Sequence, residues 1–352
     1  MDLKEILKKL ISYNTIRDNQ NKEIMDFIEG YLNNYNFTVE RIDKCLIAYN
    51  SDNPNVGFIG HTDTVDYESW DGDPFELQEK ENKLIGLGTC DMKGGIASIL
   101  SAISKLDLKK NKLALYFTND EEISFNGIKT IRKKIVPENI IIGEPTNNIP
   151  IYGTKGVLEL KIEFYGIKCH SSTPNKGINA IYECIKFIDE MKNYYENKLM
   201  KDKVEDFEVP YTTMNIGMIK GGESVNSVAG KCEISIDFRI IKEEQLETII
   251  KKIKQILKNY NSKLIIKQNI PPKINRNDIS FLENISSKKQ TKCYLTEGSY
   301  IDKNFIILGP GPDTSHQKNE YITFNSLKET EQLYIKIIEF YNRRKEYENN
   351  RL

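Results

Sequence analysis

The sequence predicts an α/β protein: a three-layer domain with a mostly parallel sheet, interrupted by a smaller inserted domain of ferredoxin-like order β-α-β-β-α-β. Three observations predict it. Short, continuously apolar runs at 56–60, 113–117, 140–142 and 305–308 are separated by helix-like stretches, the pattern of strands covered on both faces. The middle of the chain has another texture. Leu158, Leu160, Ile162 and Phe164 alternate with polar residues, as on a strand with one face in solvent. The length, 352 residues, is about two domains at roughly 150 residues each.

Each element follows from spacing. Ile6, Leu7, Leu10 and Ile11 share one face of an N-terminal helix. Helices over 94–106 and 127–135 separate the early strands, and a helix near 327–342 follows the last apolar run. In the middle, the strand at 158–164 leads into a helix carrying Ile178, Ile181, Ile185, Ile188 and Met191. Alternating strands at 214–218 and 232–238 follow, then a helix over 243–260 and a strand at 264–268. The inserted domain is expected at 157–268, which leaves a discontinuous catalytic domain, 1–156 and 269–352. The polar tail NRRKEYENNRL is expected to fray.

Composition excludes several classes. Fifty Lys and Arg against 51 Asp and Glu leave a net charge of −1, no electrostatic basis for binding nucleic acid or an anionic membrane. No run of 18 apolar residues predicts a membrane span, and the N-terminal segment lacks the apolar core of a secretory signal. The six cysteines form no CxxC pair and are expected as reduced, mostly buried thiols of a cytoplasmic protein. Histidine is scarce: His61, His170 and His316 are the whole supply.

In open α/β sheets, ligands bind beyond the carboxyl ends of the strands. Here those ends carry His61-Thr62-Asp63, Asp120-Glu121-Glu122, Gly143-Glu144 and, after the last run, His316. Asp91 opens the 94–106 helix. Taken singly, each has a plainer reading: Asp91 as a helix N-cap, Glu121-Glu122 as a solvated helix start, Cys90 as a packed thiol. Their joint placement points to a divalent metal, zinc favoured, with cobalt or manganese also suited. Five candidate ligands exceed the needs of one ion and fit a pair sharing a carboxylate.

The segments GHTDTV (60–65), DPFELQEKENKLIGLGTCDMKGG (73–95), TNDEE (118–122), IIGEPT (141–146), HSSTPNKGINAI (170–181), VPYTTMNIGMIKGGESVNSV (209–228), DFRI (237–240) and LGPGPDTSHQKNEYI (308–322) carry a resemblance. The chain resembles the M20 metallopeptidase and deacylase family, and within it the acetylornithine deacetylase branch. The resemblance implies a zinc-hydrolase catalytic domain with an inserted lid or dimerisation domain, and a homodimer through the insert. It implies two ions: Asp91 bridging, His61 and Glu144 on one, Glu122 and His316 on the other. Glu121 matches the general base, and Asp63 the carboxylate that orients His61. His170 matches the histidine that steadies the oxyanion. Asn226 and Arg239 match residues that hold substrate polar groups, and a guanidinium suits an α-carboxylate.

The reaction so implied is hydrolysis of a linear amide without a covalent intermediate, as in N-acetylornithine to ornithine and acetate, a step of arginine biosynthesis. Glu297, in Thr296-Glu297-Gly298, is expected to attract a cationic side-chain amine. A dipeptidase or aminoacylase on the same scaffold is the alternative. A non-catalytic metal-binding protein would be marked by loss of Glu121 or of a ligand, and all are present.

Overall fold

The computed structural model describes residues 1–349 apart from Asp18, Glu68 and 276–289. The chain divides into two units: Met1–Tyr152 with Asn275–Gln290 and Thr296–Leu352, and Gly153–Ile274 with Thr291–Leu295.

In the first unit the apolar runs become β3 (Val56–His61), β6 (Leu113–Thr118), β7 (Asn139–Ile142) and β15 (Asn304–Ile307). They lie side by side and parallel in the order β6-β3-β7-β15. The sheet is more mixed than expected. A hairpin of β1 (Thr38–Ile42) and β2 (Cys45–Tyr49) joins antiparallel to β6, and Ile151 of β8 (Ile151–Thr154) pairs antiparallel with Ile307. The outer strand β1 is exposed or half-buried throughout and carries no apolar run, whereas β2 is a five-residue apolar run, CLIAY, that the sequence reading did not use.

Helices cover both faces, which explains the unbroken apolar strands. On one face Ile59, Tyr116, Ile140 and Ile142 pack with Ile128 and Ile131 of α4 (Asn126–Ile131). On the other, Phe58 meets Phe117 and Tyr334 at ring centroids 6.4 and 5.5 Å apart. Tyr334 belongs to the C-terminal helix α7 (Phe324–Asn349), which packs with α3 (Lys93–Ile103). Also against α3 lies α1 (Leu3–Ile11), with Leu3, Ile6, Leu7, Leu10 and Ile11 all buried. Every residue of α3 is buried. Gly95 permits this: a Cβ there would lie 2.2 Å from the Gly143 carbonyl oxygen, so only glycine admits the start of α3 beside the end of β7. Helix α2 (Asn21–Asn33) packs on β1 and β2. A three-stranded sheet of β4 (Gln78–Lys80), β5 (Lys83–Ile85) and β16 (Tyr321–Thr323) sets residues 83–85 against 321–323.

The second unit has the expected order: β9 (Gly156–Tyr165), α5 (Ala180–Tyr194), β10 (Thr213–Gly221), β11 (Lys231–Ile240), α6 (Glu244–Leu257) and β12 (Ser262–Ile270). Its antiparallel sheet runs β10-β11-β9-β12. Leu158, Leu160, Ile162 and Phe164 point into a core shared with Phe187, Ile249 and Ile253 from the helices. The opposite face carries ion pairs such as Lys161–Glu233 at 3.0 Å. The units divide a few residues outside the expected 157 and 268. The reason is local pairing: β13 (Lys273–Ile274) ladders with Gly153 and Thr154 of β8, and Lys155 donates its N–H to the Lys292 carbonyl in β14 (Gln290–Lys292). All six cysteines are free. No described helix is long and apolar enough to cross a membrane.

Candidate metal centre and active site

Parallel strands bring their carboxyl ends to one rim. His61 is the last residue of β3, fully buried and in register with Thr118 of β6. Glu121 and Glu122 sit in the turn after β6, where Asp63 Oδ2 accepts the Glu122 N–H at 3.1 Å. Glu144 follows β7 and is 6% exposed. His316 lies beyond β15, with φ of +60°. Asp91 precedes α3, but the plainer reading of it as the helix N-cap fails: that position belongs to Met92. Standing outside the helix, Asp91 turns its carboxylate to the rim.

Its two oxygens face different partners. Oδ1 lies 3.1 Å from His61 Nε2, and Oδ2 lies 3.5 Å from His316 Nε2. His61 Nε2 is also 3.6 Å from Glu144 Oε1, and His316 Nε2 is 3.2 Å from Glu122 Oε1. Two donor sets result, His61/Asp91/Glu144 and Asp91/Glu122/His316, each with ligand atoms within 4.8 Å of one another. Glu121 joins a third grouping with His61 and Glu122.

The charges are arranged for a cation. Desolvation works against the Asp91 carboxylate, yet hydrogen bonds from His316 and His61 hold it below the usual carboxylate range. Burial pushes Glu144 up to about 8, with the Asp91 charge adding to it. His316 is raised to about 10 by its hydrogen bonds to Asp91 and Glu122. Burial disfavours charge on His61, but Glu144, Asp63 and Asp91 outweigh it and raise its pKa well above normal. Glu121 is raised well above the ordinary range, first by desolvation and then by Glu144, Glu122 and Asp91, with His61 opposing. The carboxylates thus raise both imidazoles, the direction expected of a rim that attracts positive charge. Nitrogen and carboxylate donors on a buried acidic floor fit such an ion.

His61 is aimed from behind by Asp63. Its Nδ1 is 3.0 Å from the main-chain carbonyl of Asp63 and 3.4 Å from Asp63 Oδ1. The carbonyl is therefore the nearer orienting acceptor, and it leaves Nε2 free to act as a ligand. The Asp63 carboxylate faces the same ring nitrogen with Oδ1 and anchors the Glu122 backbone with Oδ2. Cys90 is a packed thiol. It is buried, and its Sγ accepts the Thr314 N–H at 3.3 Å.

Glu297 corrects an expectation. Rather than facing a substrate, it is 1% exposed, accepts the Thr118 hydroxyl, and leaves Oε2 without a hydrogen-bond partner. Burial pushes it up to about 7, so it is a poor standing anion for an incoming amine. Beside His316 opens a cavity of about 400 Å³ lined by Val65, Tyr67, Leu87 and Lys318, within the range of small-molecule sites.

In the second unit, His170 and Asn226 lie on adjacent loops: His170 bridges Ser227, and Ser171 donates its N–H to the Asn226 carbonyl at 3.0 Å. His170 Nδ1 accepts the Ser172 N–H at 3.2 Å, so the neutral ring carries its proton on Nε2. Arg239 pairs through Nε with Asp237 at 2.9 Å, the strand-face ion pair that competes with a substrate role.

Sequence reasoning assigned no role to Glu320, four residues past His316 in the quoted HQKNEYI. It is 2% exposed and accepts the N–H groups of Gly88, Cys90 and Asp91. An acid so close to a strand-end histidine was the available signal.

Residues 152–264 match the family model of a peptidase dimerisation domain. Acetylornithine deacetylase from Buchnera aphidicola subsp. Acyrthosiphon pisum (strain Tuc7) is 32% identical, covering 95% of this chain and 96% of that protein. Among solved structures, an aminopeptidase from Bacillus cereus superposes with a TM-score of 0.80 at 20% identity, over 96% of this chain and 98% of that one. A dinuclear metal-binding peptidase of the M20 family from Bacillus subtilis gives 0.72 at 13% identity, over 96% and 97%.

Proposed function

The chain belongs to the M20 family as an acetylornithine deacetylase-like hydrolase of linear amides, and from that premise we propose that it removes the acetyl group of N-acetylornithine. The proposal extends to two zinc ions, one on His61, Asp91 and Glu144, the other on Asp91, Glu122 and His316. The observation that carries it is the Asp91 carboxylate with one oxygen toward each histidine. Bound there, the ions would polarise the scissile carbonyl and acidify water at neutral pH.

The chain's own residues supply the proton traffic. Glu121, beside Glu122 and His61, takes a proton from the attacking water and returns it to the leaving amine. Desolvation and the neighbouring carboxylates raise its proton affinity, the direction that favours taking up the water proton. His170 is the assisting donor, through the Nε2 proton that its tautomer leaves free. Arg239 and Asn226 are carried as contacts for the substrate's polar groups. For Arg239 that contact uses the guanidinium nitrogens not engaged with Asp237. We also read the protein as cytoplasmic, on its six free thiols, and as a homodimer through its second unit. Edge strand β10 supports the dimer by exposing Met218 and Ile219. Release of ornithine would place it in arginine biosynthesis.

A panel of N-acetylornithine, N-acetyllysine, neutral N-acetyl amino acids and dipeptides, offered to zinc-loaded protein, tests the substrate. The expected result is the highest kcat/KM on N-acetylornithine, with acetate released. Preference for a dipeptide would move the chain to the peptidase reading.

A further inference from the structure

The turn that carries Asp91 is held from one side by a single residue. Glu320 Oε2 accepts the Gly88 N–H at 2.9 Å, and Oε1 accepts those of Cys90 at 2.6 Å and Asp91 at 2.9 Å. Its main-chain carbonyl takes the Gly86 N–H at 3.1 Å and the Thr89 hydroxyl at 3.3 Å. Gly88 has φ of +83°, a left-handed turn that folds these N–H groups toward one point. Pairing of β16 with β5 puts Glu320 opposite this turn. His316 is only four residues upstream, so one buried carboxylate ties together two segments that each bring a donor to the rim.

Among the described residues no lysine or arginine forms an ion pair with Glu320, although the buried Lys93 feels its charge, and its direct carboxyl partners are those three backbone N–H groups. An acid is an expensive way to satisfy a turn that water or a serine could cap, unless the position of the turn matters.

We propose that Glu320 is the positioning residue of the ion centre: its carboxylate clamps the Gly88–Asp91 backbone and so fixes the Asp91 side chain between His61 and His316. This rests on the reading of Asp91 as a shared ligand. Removal of the clamp frees the Asp91 backbone without deleting any ligand. It should therefore act on ion affinity and on turnover before it acts on substrate binding.

The test compares wild type with Glu320→Gln, Glu320→Asp and Asp91→Ala, each stripped of metal and titrated with Zn²⁺. Glu320→Gln keeps the volume but presents an amide NH₂ to one of the N–H donors. The account expects its Zn²⁺ affinity to fall about 10–100-fold. It expects kcat on N-acetylornithine to fall while KM stays within about twofold, the mark of an interaction that serves the transition state. Glu320→Asp, which keeps the charge, should recover part of the affinity, and the metal-free melting temperature should follow wild type. Wild-type Zn²⁺ affinity in Glu320→Gln would overturn the clamp while leaving the ion-centre reading intact. So would a loss that merely tracks a lowered melting temperature of the metal-free protein. A wild-type chain that takes up no Zn²⁺, or an Asp91→Ala chain that binds it as wild type does, would overturn the ion-centre reading and the clamp with it.

Discussion

Glu121 and Glu122 are neighbours in sequence but have different surroundings. Glu122 meets His316, whereas desolvation and three nearby carboxylates, opposed by His61, raise the Glu121 pKa well above the ordinary range. Glu121→Gln keeps the volume and removes the capacity to accept a proton. Hydrolysis should fall by about 10²–10⁴-fold with zinc content unchanged, and a wild-type rate at full metal content would refute the base assignment. Glu297 makes a second prediction, in metal-free protein. Its folded pKa is raised to about 7, above that of an unfolded glutamate. The folded state then binds more protons than the unfolded state over this interval, so its contribution to stability declines as pH rises through about 4.5 to 7. Glu297→Gln removes that penalty. The melting temperature of the variant relative to wild type should be higher at pH 8 than at pH 5, and differential scanning at the two values checks it. The ion-binding candidates were legible in sequence because strand ends announce themselves, whereas Glu297, Glu320 and Lys93 were not. Lys93 reads as a surface residue, yet it is fully buried, donates to the Tyr13 carbonyl at 2.9 Å and is lowered to about 7 by burial. Burial of a charged side chain depends on tertiary neighbours that no spacing rule supplies.

The elements divide by how they are stabilised. Parallel strands β3, β6, β7 and β15 are legible because helices on both faces make them wholly apolar. The outer strand β1 and the short β4, β5 and β16 bury too little to leave a pattern, and it was the pairing of β16 with β5 that brought Glu320 to the Asp91 turn. Helix α3 shows the same limit. Gly94 and Gly95 look like poor helix formers, but Gly95 lets α3 start against the end of β7 and Gly94 admits the Thr89 carbonyl. Gly95→Ala gains about 1 kcal/mol of helix propensity and puts a Cβ 2.2 Å from a backbone oxygen. Overpacking costs about 1–3 kcal/mol in general, and a backbone neighbour cannot swing away. The expected result is net destabilisation by denaturant unfolding. Gly30→Ala in α2, where a Cβ meets nothing within 4 Å, should instead be neutral or stabilising by up to about 1 kcal/mol.

At the scale of the whole molecule, the chain is two units with different periodicities, and that difference made the insertion visible in sequence. The alternation of Leu158 to Phe164 and the 3.6-residue spacing of Ile249 and Ile253 build one antiparallel sheet with helices on one face. The continuous strands build the rim. Of the three histidines, two end on that rim and the third lies on the other unit, with its tautomer set by Ser172. The net charge of −1 conceals a concentration of carboxylates at one place, where Asp91 stands between two donor sets. Counting ions is the direct measurement of that arrangement. Metal-free protein titrated with Zn²⁺ and analysed for metal per chain should hold two ions, and Asp91→Ala should hold fewer and release no acetate from N-acetylornithine. A wild-type chain saturating at one ion, or an Asp91→Ala chain retaining two, would contradict a centre built on a shared carboxylate.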